Sequence, residues 1–502
     1  MASDAVMGPA CGEAAEPGLK KNALSFVSNI VIGVASTAPA YSLAAALASI
    51  VMIVNFAVPG VMIAAFVPIL LVAAAYYHLN RADADCGTTF AWATKAIGPY
   101  AGWMGGWAII VTEILVMPGL SQIAALYSFH FFGIAEPHWL AVLAVGVLFI
   151  AVMTLICYLG IELSALTQKA LLAAEIIILV IFAVAALSKV YGAHPPPGSQ
   201  PVALPWFNPF AAGNMRDFAE AMLIAVFIYW GWDTGASVNE ETEQPKTAPA
   251  RAAVVSTLLL VGLYVAVSTA AVAFAEPDLA KPSDDFLAPL ASSVLDFGLD
   301  KLLMLAVVTS AAACCQTSIL PAARTFISMA REGAIPAKFA EIHPRYRTPG
   351  FATLVTGGAS IVWYVLLTFL PTGGILAASV TATAFGIAFY YALTAFACVA
   401  YYRRELGKSL ENLLVMGVLP GLGGLMMAAL FVEACISYAH PDDGQTALFG
   451  VGPALVFGVG ALALGFVLML LARLSLPAFF DRETEVVDPA AVGADVAPAA
   501  AE

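Results

Sequence analysis

Three carboxylates stand where a carboxylate is costly. Asp233 follows Tyr229-Trp230-Gly231-Trp232, Glu175 lies in LLAAEIIILVIF, and Glu113 lies in WAIIVTEILVM. An ionisable side chain deep in an apolar run is expensive in hydrocarbon and by default marks an ion or solute path. Apolar burial disfavours the charged form of a carboxyl group, which suits it to take up and release protons. For Glu113 a hydrogen-bonded brace between two helices is an equal alternative. Asp233, Glu175 and Glu113 are therefore candidate coupling residues.

The second chemical feature is a pair of interrupted apolar segments. The first, about 24–49, contains Gly33-Val34-Ala35-Ser36-Thr37-Ala38-Pro39, and the second, about 216–240, contains Tyr229-Trp230-Gly231-Trp232-Asp233-Thr234-Gly235. Small residues and proline hold a continuous helix poorly. Irregular backbone inside a membrane is tolerated only where protein covers it or it lines a cavity. In the first break, Ser36 or Thr37 is expected to cap a new half-helix with Pro39 in its first turn. Such a terminus offers free N–H groups and a positive dipole end to an anion, a solute carboxylate being the natural occupant. The alternative is a proline kink with the hydroxyls bonded back to the helix; the matching second break favours the site. There, Gly231 frees carbonyls near Tyr229 and Trp230 to accept from a solute ammonium, and Trp230 and Trp232 can wall a pocket. Gly33, Val34, Ala35, Ser36, Thr37, Ala38, Tyr229, Trp230, Gly231 and Trp232 are the candidate substrate-binding residues.

These residues need a membrane scaffold to position them. The chain has 502 residues, 61% hydrophobic and 11% charged, with a mean hydropathy of +0.89. Soluble chains carry about 25% charged residues, so the composition is that of an all-α integral membrane protein. Twelve transmembrane helices are expected near 24–49, 55–78, 101–129, 138–158, 167–190, 216–240, 251–275, 300–326, 350–370, 374–401, 411–438 and 448–474. With both termini cytoplasmic, seventeen of the 21 basic residues fall inside; Lys189, Arg216, Lys281 and Lys301 fall outside. The net charge of −13 gathers in tails and loops. There is no basic stripe for nucleic acid, no Walker-type phosphate loop, and no cysteine or histidine spacing of a metal motif. No cofactor, metal or catalytic residue is expected, and scattered histidines argue against a membrane-embedded enzyme.

The spans divide the chain into a cytoplasmic tail (1–22), a first five-helix repeat (23–190), an extracellular loop (191–215), a second five-helix repeat (216–404), two additional helices (405–475) and a disordered cytoplasmic tail (476–502). Five is odd, so the second set starts on the opposite side and the halves read as inverted repeats. A semi-polar element follows the second span of each, at 86–100 and 278–298. Glu433, outside the repeats, is a weaker candidate. Asn239, Glu240, Glu241 and Glu243 close the sixth span, as a cytoplasmic gate or as a solvated helix end.

Three stretches carry a resemblance: GTTFAWATKAIGPYAGWMGGW at 87–107, FIYWGWDTGASVNEETEQPKTAPARA at 227–252, and ARTFISMAREGAIPAKFAEIHPRYRTPG at 323–350. From about Ala23 to Arg404 the chain resembles the amino acid permeases of the amino acid–polyamine–organocation superfamily. The resemblance implies the LeuT-like five-plus-five inverted repeat, alternating access, and an amino acid or amine held between the first and sixth helices. The expected function is a multi-pass permease of the cell membrane, proton-coupled as a symporter; an exchanger without ion coupling is the alternative, and a channel is a third option. The chain departs from the family in three places. Where a Gly-Ser-Gly-like run is usual it has Ser36-Thr37-Ala38-Pro39, and Pro39 has no N–H. Glu175 stands where many proton-linked relatives carry lysine. Gln244-Pro245 replaces a common Asn-Pro. Glu175 is therefore expected to act as a second coupling site, protonated and donating to carbonyls near Gly33, or ionised beside a cation.

Overall fold

The computed structural model describes residues 18–211, 213–274, 287–295, 300–370, 375–439 and 447–482. Among these residues the regular structure is helical, with two isolated β-bridges. The apolar runs become helices because hydrocarbon leaves backbone groups no partner except one another. Helix α1 (Phe26–Ser36) starts at Ser25, whose hydroxyl accepts from the Ser28 N–H. It is followed by α2 (Pro39–Val54) and α3 (Val58–Ala82). A short amphipathic α4 (Thr89–Ala96) precedes the long α5 (Pro99–Phe131), and α6 (Trp139–Leu159) and α7 (Ile161–Val190) complete the first half. The second half comprises α8 (Met215–Phe227), the single turn α9 (Thr234–Ser237), α10 (Ala248–Phe274), α11 (Leu287–Val294), α12 (Asp300–Arg331), α13 (Gly350–Phe369) and α14 (Ile375–Tyr401). Helices α15 (Leu410–Asn412), α16 (Leu419–Ser437), α17 (Pro453–Ser475) and α18 (Pro477–Phe480) follow.

Among the described residues, ten stretches are long and apolar enough to cross a bilayer by length and composition. The expectation of twelve differs in two places. Residues 26–82 form one candidate of 57 residues that includes both of the first two expected spans. The sixth expected span is cut into α8 and α9, and α8 has only 13 residues. The semi-polar element at 86–100 becomes α4. Of its expected counterpart at 278–298, residues 278–286 and 296 onward lie outside the described residues. The two tails are described only from residue 18 and up to residue 482.

Packing is close because the interfaces carry small residues. Ala306, Ala311 and Ala313 of α12 and Ala108, Ala124 and Ala125 of α5 are all buried, and the two helices lie side by side. Small side chains let helix backbones approach, which replaces the hydrophobic drive that lipid does not supply. Helix α1 packs on α10, α8 on α3, α14 on α5 and α12 on α7. Likewise α6 packs on α12, α13 on α5, α4 on α5 and α14, and α11 on α12 and α7. Helices α16 and α17 flank α14.

Candidate functional site

The first break opens after Ser36. Thr37 and Ala38 donate backbone N–H bonds to the Val34 and Ala35 carbonyls at 3.1 and 3.2 Å. Ala38 lies in the left-handed region (φ 46, ψ 64) and is the N-cap of α2, with no side-chain cap bond. A non-glycine residue there costs roughly 1–2 kcal/mol. Pro39 occupies the first turn as expected, but neither hydroxyl caps the half-helix. The Thr37 hydroxyl donates back to the Val34 carbonyl at 2.7 Å. The Ser36 hydroxyl pairs with that of Thr234 at 2.8 Å, across to the second break. The capping role falls instead to Glu175 of α7, whose Oε1 accepts from the Ala40 N–H at 2.7 Å and from the Ser310 hydroxyl at 2.8 Å. Glu175 thus accepts from backbone N–H rather than donating to carbonyls near Gly33. Its Oε2 is buried without a partner.

The second break spans the turns between α8 and α9. Gly231 has φ +115, and a Cβ there would lie 2.6 Å from the Ser36 carbonyl oxygen. Only glycine permits both that conformation and that approach. A Cβ on Gly33 would lie 2.9 Å from the Trp232 carbonyl oxygen and from the Ser256 hydroxyl. The two breaks therefore touch through Gly231 on Ser36 and Gly33 on Trp232, besides the Ser36–Thr234 hydroxyl pair. The Cys314 thiol also donates to the Ser36 carbonyl, at 3.1 Å. Around them, the Tyr229 hydroxyl donates to the Met62 carbonyl at 3.0 Å, and that of Tyr264 to the Ile228 carbonyl at 2.6 Å. The Trp230 indole N–H donates to the Tyr390 hydroxyl. All ten candidate substrate-binding residues are buried.

Asp233 sits in a cage of phenols. Its Oδ1 accepts from Tyr391 at 2.7 Å, and its Oδ2 from Tyr76 and Tyr390, each at 3.3 Å. Trp232 packs edge-on against Tyr76, with ring centroids 5.0 Å apart. Glu113 on α5 is buried, with Oε2 unpartnered. Sequence reasoning missed Tyr76, Tyr390, Tyr391 and Ser310. The available signal was the same one that marked the acids, hydrogen-bonding groups inside apolar runs. It is weaker for phenols, which also serve as ordinary buried packing residues.

The residues after the second break are tied to other segments by ion pairs and hydrogen bonds. Glu241 and Arg324 make a bidentate pair, with Nε at 3.0 Å and Nη2 at 2.8 Å from Oε2, both side chains fully buried. Next to it, Arg331 Nη1 lies 2.9 Å from both oxygens of Glu240. Asn239 Nδ2 donates to Asn80 Oδ1 at 2.8 Å and to the Asp85 carbonyl at 3.1 Å. The Glu243 N–H donates to the Leu24 carbonyl at 2.8 Å. Asn239, Glu240 and Glu241 are thus cross-linked to neighbouring segments, whereas the Glu243 side chain is exposed. Asp85, Cys86 and Glu240 bring three possible metal-ligand atoms within 4.8 Å of one another. The Arg331 guanidinium already supplies their positive charge. Burial pushes the Asp85 carboxyl up; the Ser328 hydroxyl and Gly87 N–H oppose the shift, and Asp83 and Glu240 add to it.

Comparison with known proteins bears on this arrangement. Residues 21–446 match the amino acid permease family. An uncharacterized transporter of Mycobacterium bovis is 25% identical over 311 residues, 61% of this chain and 64% of that protein. The chain thus spans just under two thirds of the length of that relative. A low-affinity putrescine importer of Escherichia coli K12 is 24% identical over 384 residues, 74% of this chain and 79% of the importer. A mitochondrial cationic amino acid transporter 3 of Arabidopsis thaliana is 26% identical over 365 residues, 67% of this chain and 56% of that protein. The family match runs from just before the first break to beyond the last phenol of the Asp233 cage, so the whole site lies within it, and this multi-pass membrane protein belongs to the amino acid permease family.

Proposed function

We propose that this protein is a secondary transporter that carries an amino acid or a related amine by alternating access, coupled to protons. The observation that carries the reading is the meeting of two interrupted helices in a buried centre, with Gly231 on Ser36 and Gly33 on Trp232. Paired interrupted helices at the interface of repeats are where transporters place their substrate. The names of the putrescine importer and the cationic amino acid transporters support a solute bearing an amine.

The chain crosses the membrane twelve times in this reading. The 57-residue stretch rises about 85 Å if helical throughout, enough for two crossings of a ~30 Å core. The interrupted α8–α9 segment supplies another. Units 23–190 and 216–404 are inverted repeats, and the packing of the helices supports this. Exchanging the halves maps α1 on α10 to α8 on α3, α14 on α5 to α7 on α12, and α6 on α12 to α13 on α5. It also maps α4, resting on α5 and α14, to α11, resting on α12 and α7. The termini face the cytoplasm of a cell-membrane protein. In support, Lys20 pairs with Glu162, Arg347 donates to the Gly18 carbonyl, and Arg482 pairs with Glu332, all between segments assigned to that face.

Gly33 to Ala38 form one wall of the site and Tyr229 to Trp232 the other. Asp233 and Glu175 exchange protons during the cycle, with Glu113 beside them. The Arg324–Glu241 layer is the closed cytoplasmic gate. The test is uptake of labelled amino acids and amines into proteoliposomes with and without an imposed pH gradient. Saturable uptake that the gradient drives above equilibrium is expected. Uptake that never saturates means a channel, and saturable exchange indifferent to the gradient removes the proton coupling.

A further inference from the structure

The first turn of α2 has no N–H left for a solute. A helix N-terminus leaves four backbone donors without helical partners, and their whereabouts can be accounted for one by one. The Ala38 N–H is taken by the Ala35 carbonyl at 3.2 Å. Pro39 has none. The Ala40 N–H is taken by Glu175 Oε1 at 2.7 Å. The Tyr41 N–H is taken by the Ser310 hydroxyl at 3.2 Å, which itself donates to Glu175 Oε1. From Ser42 onward the helix satisfies itself, its N–H bonding the Ala38 carbonyl at 2.8 Å. The protein's own carboxylate thus fills the place a solute carboxylate would take.

The charge of the buried centre points the same way. Among the described residues Arg324 is the one buried cation, and Glu241 holds it. Asp233, Glu175 and Glu113 are buried with no basic partner within salt-bridge distance among the described residues, and Glu175 Oε2 and Glu113 Oε2 have no hydrogen-bond partner. Unpartnered buried acceptors and an excess of acid suit a guest that brings N–H donors and positive charge. A zwitterionic amino acid brings one of each sign, and its carboxylate would meet Glu175 rather than N–H groups.

We propose that the solute is an aliphatic amine or diamine without an α-carboxylate, and that Glu175 sets this selectivity by occupying the N-terminus of α2. The proposal rests on the transport reading above and narrows it. The test uses matched pairs that differ only in the carboxylate: 1,5-diaminopentane against lysine, and 1,4-diaminobutane against ornithine. Affinity of the full-length protein in detergent is measured by calorimetry, and uptake of each compound in proteoliposomes. The diamine of each pair is expected to bind at least about tenfold tighter than its amino acid, the scale of one charge-assisted hydrogen bond replaced by repulsion. Glu175→Ala frees the Ala40 N–H and is expected to reduce that ratio by about tenfold or more. Glu175→Gln keeps an acceptor on Ala40 while removing the charge, so it should weaken diamine binding yet still reject the amino acid. Equal or tighter binding of lysine and ornithine by the parent overturns the proposal while leaving a transporter. An unchanged ratio in a folded Glu175→Ala variant overturns the role of Glu175. Absence of binding and of saturable uptake for all four compounds overturns the proposal; absence of saturable uptake across the wider amino acid and amine panel as well removes the transport reading.

Discussion

Asp233 is held by three hydroxyl donors from two helices, Tyr76 on α3 and the neighbours Tyr390 and Tyr391 on α14. A carboxylate can accept all three; an asparagine cannot, because its NH2 group only donates. Asp233→Asn should therefore leave at least one phenol facing a donor, at a cost of about 1–3 kcal/mol. The same change removes the proposed proton site. We expect the variant to melt lower in detergent and to retain exchange at fixed pH, while losing gradient-driven accumulation. Tyr391→Phe should lose part of the stability and keep accumulation. Parallel uptake and melting measurements on both variants separate the two roles, and an Asp233→Asn protein that still accumulates solute removes Asp233 from coupling.

At the scale of elements, the breaks are legible in the sequence and their partners are not. Pro39 and Gly231 announce interruption through local backbone preference, and the structure interrupts the segments beside them, whereas Gly33 stays inside α1. Ser36 and Thr37 lie in the right local position to cap α2, yet their hydroxyls go to Thr234 and Val34. The group that does cap α2 is 135 residues away in sequence, and no local pattern encodes that distance. Gly231→Ala tests the junction between breaks. It forces a side chain into a φ of +115 and to within 2.6 Å of the Ser36 carbonyl, so a loss of about 2 kcal/mol or more is expected, with solute binding abolished. Wild-type affinity in that variant would separate the site from this junction. The loop between α3 and α4 offers a pH test. Asp85 has a raised proton affinity through burial, so the folded state holds its proton at a pH where the unfolded chain has lost it. Stability from this group is therefore greatest below the ordinary carboxylate range and falls as pH rises through the raised value. Asp85→Asn should flatten that part of the melting profile, and an unaltered slope would assign it to other groups.

For the whole molecule, the decisive feature is the buried ion pair of Glu241 and Arg324. Composition and the recurrence of apolar runs make the membrane class plain, and Asn239, Glu240, Glu241 and Glu243 allow either a gate or a solvated end. What the sequence does not show is that Arg324, 83 residues away, has its side chain fully buried against Glu241. Removing one partner of such a pair leaves an uncompensated buried charge, which costs about 3–5 kcal/mol. Arg324→Ala should therefore be severely destabilised, and the double change Arg324→Met with Glu241→Leu should recover much of the stability. If the pair is the gate, the double variant will remain folded and lose transport through a closure that no longer responds. Cys86, buried beside Arg331, offers a reporter, since its thiol donates to the Arg324 carbonyl at 3.6 Å. Solute that opens this face should speed its reaction with a maleimide, and a rate indifferent to solute would place the opening elsewhere.

The order in which the chain is made gives the Asp233 cage a further meaning. Glu175 enters the bilayer with its first partner already synthesised, because Ala40 precedes it by 135 residues. Asp233 has only Tyr76 upstream; Tyr390 and Tyr391 follow 157 and 158 residues later. Until α14 is synthesised, Asp233 therefore has one of its three hydroxyl donors. A chain that ends before α14 therefore lacks two of the three donors that hold Asp233, and the cage is complete only when the last helix of the second half is in place.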